Sequence, residues 1–103
     1  MLPHEFVHCL TSVKFDQERE TAPEYYVVGT SFVFPNEPDA SRGRILVFHV
    51  DKVDHAPKLR SVHEKEVRGA VFTCAPFNGK LLAGINSKVY LILFLLLFTI
   101  LSL

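Results

Sequence analysis

An all-β fold follows from three features of this 103-residue sequence. Short runs rich in β-branched and aromatic residues recur along it, separated by clusters of Pro, Gly, Asn and Asp, with no helical cap and no sustained spacing of three and four. An Asn78-Gly79 pair lies between two such runs, Val71 to Phe77 and Lys80 to Ile85. Both central residues of a type I′ turn need positive φ, which Asn and Gly tolerate best, so these runs are predicted as adjacent antiparallel strands. The strands also repeat weakly: Leu10 to Phe15 resembles Phe72 to Phe77, Tyr26 to Thr30 resembles Leu81 to Ile85, and Ile45 to Phe48 resembles Val89 to Ile92.

His4 to Phe15 carries Phe6, Val7, Thr11, Val13 and Phe15 and reads as a strand; Asp16 to Glu24 is a solvated polar connection. Tyr25 to Phe34 is apolar on both alternating faces, which predicts a central strand between covered faces. It stops at Pro35 to Gly43, where the two prolines cannot donate to a ladder. Arg44 to Val50 is a third strand, again apolar on both faces, and Asp51 to Pro57 is a loop. Lys58 to Val67 is charged at nearly every other place, as suits a sheet edge, where Lys and Glu deter pairing with a second molecule. The Asn-Gly hairpin follows, then a turn at Ser87-Lys88, and Val89-Tyr90-Leu91 begins another strand.

Four short antiparallel strands with a charged outer one are the pattern of a β-propeller blade. The sequence holds about one blade plus three strands of the next, whereas propellers close with ~4 to 8 blades. The expectation is a partial propeller over residues 1–88 and an apolar tail, 89–103, that starts a last strand and then diverges.

YYVVGTSFVFPNEPDASRGRILVFHV, EKEVRGAVF and FNGKLLAGINSKV resemble the C-terminal region of a family that includes the large subunit of the damaged-DNA-binding complex, the large subunit of the cleavage and polyadenylation specificity factor and a subunit of splicing factor 3b. The resemblance covers roughly Glu5 to Leu91. GRILVFHV and EKEVRG fit the cleavage-factor member as well, while FNGKLLA-x-IN favours the damaged-DNA member. It implies a WD40-like propeller scaffold, nuclear and non-enzymatic, that bridges a cullin-type ubiquitin ligase to substrate receptors and meets nucleic acid at most indirectly. The alternatives are a fragment of a nucleic-acid-binding RNA-processing factor and a membrane-tethered product.

The tail departs from the family pattern, which would continue with a polar turn and an outer strand. Val89 to Leu103 has no charge and no alternation. As a helix it would be about 22 Å long at ~1.5 Å per residue, against the roughly 30 Å of a bilayer core. Three readings stand: a truncated or read-through terminus, a short anchor starting near Leu81, and an apolar strand or helix buried against a partner.

Composition excludes several classes. Eleven basic residues balance eleven acidic ones, so no basic footprint marks a nucleic-acid or anionic-membrane surface. Cys9 and Cys74 form no C-x-x-C pair, which argues against a zinc knuckle or a disulfide-dense scaffold and fits a reduced compartment; Pro3, His4 and Glu5 do not read as the start of a secretory leader, and none of the three Asn residues opens an N-x-S/T acceptor. His4 and His8 would share a helix face, but on a strand their spacing separates them by ~13 Å. His49, Asp51, Asp54 and His55 are the other metal-type cluster, read as loop polarity. Ser31 and Ser61 lie in strands without an evident base, Gly79-Lys80 lacks the G-x-x-x-x-G-K-S/T pattern, and Cys74 has no cation to lower its pKa. Tyr25, Phe32, Phe34 and Phe48 lack the interleaved Lys and Arg of a base-stacking platform and read as core. No catalytic, metal-binding or cofactor-binding residue is assigned.

Overall fold

The computed structural model describes residues 2–14, 24–53, 56–77, 79–93 and 99–102. These form eight strands: β1 (Glu5–Val13), β2 (Tyr25–Phe32), β3 (Gly43–Val53), β4 (Ala56–Val67), β5 (Val71–Phe77), β6 (Lys80–Ile85), β7 (Lys88–Leu93) and β8 (Thr99–Ser102). They make two four-stranded sheets in sequence order, β1-β2-β3-β4 and β5-β6-β7-β8, antiparallel at every pairing. The all-β expectation and the blade pattern are both met.

Local chemistry sets the boundaries. β2 lies between β1 and β3, and its Val27, Gly29, Thr30, Ser31 and Phe32 are buried, as its two-sided apolar pattern requires. β4 is a sheet edge with its charged residues exposed. Phe77 pairs with Lys80, so the β5–β6 loop has two residues; its Gly79 has φ +73°, and Asn78 lies outside the described residues. The β6–β7 turn differs from expectation. It is Asn86-Ser87, not Ser87-Lys88: Ile85 pairs with Lys88, and Asn86 takes the left-handed conformation at φ +54°.

The internal repeat is real but needs one adjustment. β1 is bulged between Val7 and Cys9, and β5 between Val71 and Thr73. Cys9 faces Gly29 as Thr73 faces Gly84, and Gly29 faces Ile45 as Gly84 faces Val89. Leu10 is therefore equivalent to Cys74, two residues away from the match the sequence suggested, because similar apolar residues hide a slip that hydrogen-bond register does not allow. The other two matches hold.

The tail reading also changes. Leu81 to Leu93 lies in two strands of one sheet, which excludes a helical anchor beginning at Leu81, and Thr99–Ser102 pairs with β7 as the fourth strand of the second sheet. Among the described residues no helix is long and apolar enough to cross a membrane.

β5 lies against β1 and β2, so the sheets stack rather than lie edge to edge. Between them sit Val13, Val27, Ile45, Val47, Val67, Val71, Leu81, Ala83, Ile85 and Ile92. Burying a Val, Leu or Ile is worth about 1.5 to 3 kcal/mol, against ~1 for a typical hydrogen bond, so this apolar layer decides how the sheets stack. Close approach needs Gly29, where a Cβ would lie 2.5 Å from both Cys9 Sγ and Val71 Cγ1.

Candidate functional site

A groove opens where the first sheet meets the second, bounded by the 33–40 loop. Its walls include His8, Ser31, Val33, Glu37, Ala70 and Phe72. Both bulges feed it. His8 and Phe72 are the bulged residues of β1 and β5, and their rings meet across the inter-sheet boundary at 5.2 Å between centroids. His8 Nε2 lies 2.6 Å from Ser31 Oγ, which gives Ser31 the base that the sequence did not reveal. Ser31 is nevertheless 1 % exposed.

Backbone hydrogen bonds hold the loop at its start, close its base and brace it internally. Val33 N donates to His4 O at 2.9 Å, Phe32 N to Arg42 O at 2.9 Å, and Glu37 N to Phe34 O at 3.1 Å. The His4 ring packs on Phe34, 5.3 Å away, so His4 and His8 have separate partners and make no joint metal site. Ser41 Oγ donates to Glu37 Oε2 at 2.7 Å, while the other oxygen, Oε1, is buried with no hydrogen-bond partner among the described residues. An unpaired buried acceptor is costly, and a donor brought into the groove would relieve it. Phe72 and Val33, 53 % and 47 % exposed, supply the apolar surface.

Behind the groove the frame is braced by ions. Glu5, whose side chain is fully buried, receives Arg44 Nε at 2.6 Å and Nη2 at 2.5 Å, Thr30 Oγ1 at 2.7 Å and Leu2 N at 3.0 Å. Arg44 reaches Glu64 at 2.9 Å with its third nitrogen. The Arg44 bond holds the Glu5 carboxyl down to about 2, against the opposing pull of burial. On the second sheet's side, Asn86 Oδ1 accepts from Ala70 N at 2.8 Å and Asn86 Nδ2 donates to Ala40 O at 3.3 Å, tying the 33–40 loop to the β6–β7 turn.

The remaining candidates fall elsewhere. His49 Nδ1 and Arg60 Nε contact Asp51 at 2.8 and 2.6 Å; Asp54 and His55 lie outside the described residues. No group of three His, Cys, Asp or Glu among the described residues is placed to hold a metal. Tyr25, Phe34 and Phe48 are half-buried and Phe32 is buried beneath Arg42, whose guanidinium carbon is 4.9 Å from the ring centre, so none is a fully exposed ring. The sequence reading missed the meeting of His8 with Phe72 because it depends on two bulges, and the signal that could have revealed it was the repeat taken in its true register.

Consecutive four-stranded antiparallel sheets, stacked face to face with a charged strand at the edge, define a piece of a β-propeller. Residues 1–94 match the CPSF A subunit region, and the chain belongs to that family. It is 44 % identical over 89 residues to DNA damage-binding protein 1 of Caenorhabditis elegans, covering 86 % of this chain and 8 % of that protein. It is 51 % identical over 67 residues to DNA damage-binding protein 1 of Oryza sativa subsp. japonica, covering 65 % and 6 %. Against DNA damage-binding protein 1a of Arabidopsis thaliana the identity is 41 % over 87 residues, covering 84 % and 7 %. The chain thus spans less than a tenth of the length of these relatives.

Proposed function

We propose that the chain is a non-enzymatic interaction module, a propeller piece that takes part in a DNA-damage-binding, ubiquitin-ligase adaptor assembly in the nucleus. The observation that carries this reading is the inter-sheet groove, in which exposed Phe72 and Val33 flank an unpaired buried acceptor, Glu37 Oε1. That is the chemistry of a surface for a protein segment with an apolar side chain and a donor beside it. The names of the relatives support the DNA-damage-binding part of this reading, and the resemblance carried by FNGKLLA-x-IN supports the ligase-adaptor part. A cullin-type ligase subunit and a substrate receptor are the proposed partners.

Direct nucleic-acid binding is the weaker reading. Arg42, Arg44 and Arg60 are each paired with a carboxylate, and the chain carries no net charge, which disfavours a phosphate backbone as the partner. The test is titration calorimetry of the chain with a purified substrate receptor and with a cullin, beside fluorescence anisotropy with damaged and undamaged duplexes. Receptor or cullin binding is expected, weakened about tenfold or more by Phe72→Asp, a loss of about 1.4 kcal/mol. Tight duplex binding with a steep salt slope, and none to either protein, would replace this reading with the nucleic-acid one.

A further inference from the structure

Cys9 on β1 and Cys74 on β5 belong to different sheets and stand 65 residues apart, yet their sulfurs are 3.2 Å from one another. Both thiols are free and half-buried. Their meeting has structural causes. The bulge between Val7 and Cys9 resets the side-chain alternation of β1, and Gly29 opposite Cys9 leaves open the space into which Cys9 Sγ projects toward Val71 and the second sheet. Cys9 Sγ also lies 3.7 Å from Val71 O. A closure of roughly 1 Å would bring the sulfurs to bonding distance, ~2.05 Å.

We infer that Cys9 and Cys74 are an oxidative modification site, a dithiol that a peroxide converts into a disulfide joining the two sheets. The pair is chemically asymmetric in the way this requires. The hydrogen bond from Cys74 and one from the Gly29 backbone lower the Cys9 thiol to about 7, against the pull of burial, while the same bond and burial push Cys74 up. Either thiol can donate across the contact; in the singly ionised pair Cys74 keeps the proton and Cys9 is the thiolate, the nucleophilic form.

The steps balance. The Cys9 thiolate attacks one peroxide oxygen, the O–O bond breaks, and the departing hydroxide takes a proton to become water, leaving a sulfenic acid on Cys9. The Cys74 sulfur then attacks the Cys9 sulfur. The S–S bond forms, the S–O bond breaks, and the oxygen leaves as a second water with the Cys74 proton and its own. Two thiols and one peroxide give one disulfide and two waters. The Cys9 thiolate that held the Cys74 proton in place is gone once Cys9 is a sulfenic acid, so the second step is eased by the first.

The product would cross-link the first sheet to the second through a 65-residue loop, long enough for a substantial constraint on the unfolded chain. The experiment treats the full chain with hydrogen peroxide and follows it by intact mass, peptide mapping and thermal unfolding. Expected is a monomer that has lost the mass of two hydrogens, with Cys9 linked to Cys74, a thermal midpoint raised by about 10 °C, and reversal by dithiothreitol. The Cys9→Ser and Cys74→Ser variants lose that shift, and Cys74→Ser accumulates oxygen on Cys9. Oxygen adducts on both cysteines of the unaltered chain without a link, or links only between chains, would overturn the inference.

Discussion

Glu5 is where a single ionisation weighs most on this fold. Its carboxyl sits at about 2 in the folded chain against an ordinary value of 4.5, chiefly through Arg44. A depressed carboxylate pKa stabilises the folded state fully above the unfolded value, and that stability is lost as pH falls toward the folded one. Acid titration followed by circular dichroism should therefore show stability falling between about pH 5 and pH 2, by on the order of 3 kcal/mol. Glu5→Gln should remove most of that dependence and lower stability at pH 7 by a similar amount, because Arg44 is left facing a neutral amide. Backbone positions give a second expectation. A Cβ on Gly43 would lie 2.3 Å from Gly69 O and 2.4 Å from Thr30 O, and Gly69 itself has φ +150° with the Asn86 side chain 2.6 Å from where its Cβ would stand. Gly43→Ala and Gly69→Ala should each cost about 2 kcal/mol or more in urea unfolding, whereas an exposed change such as Lys65→Ala should stay within roughly 0.5. None of this was legible in the sequence. Glu5 and Arg44 are 39 residues apart, and the RGAV and SRGR stretches announce only a turn.

At the scale of the element, what the sequence shows and hides divides by period. β2, β5 and β6 were readable because two-sided apolarity and the Asn-Gly pair leave one consistent pairing, and β4 because its charges need an edge. β8 was not, since Thr99–Ser102 lies in an uncharged run in which strand, buried helix and anchor give the same pattern. The strand assignment alters what truncation should do. The run from Leu91 to Leu103 is uncharged, of high β-propensity and without Pro, which is the sequence signature of an aggregation-prone segment, so the sequence predicts that removing it raises solubility. In the structure Ile92 is fully buried between the sheets, in contact with the core on which β5 and β6 depend. Ile92→Ala should cost about 2 to 5 kcal/mol. A chain ending at Leu93 should keep its β spectrum, while one ending at Tyr90 should lose the stability of the second sheet; equal melting curves for the two would show that β7 does not carry the core.

Across the whole molecule, the stacking of sheets is set by apolar residues from seven of the eight strands' neighbourhoods rather than by any ion pair, and the groove, the Cys9–Cys74 contact and the His8–Phe72 contact all lie on that one boundary. The family and the blade pattern could be read from EKEVRGAVF and FNGKLLAGIN, but the boundary could not, because it depends on equivalent bulges in β1 and β5, which come into register only when the sequence match of those two strands is moved by two residues. Exposed Phe6, Leu10 and Tyr26 on the first sheet are the kind of surface a propeller covers with further blades. If these sheets are interchangeable with propeller blades of the family, the aligned 89-residue segment of the Caenorhabditis elegans relative can be replaced with the matching segment of this chain, and thermal unfolding of the chimaera decides the matter. Expected is a soluble protein with one cooperative transition within about 10 °C of the parent, since each degree corresponds to only a fraction of a kcal/mol. An insoluble product, or a separate low-temperature transition confined to the inserted segment, would contradict it.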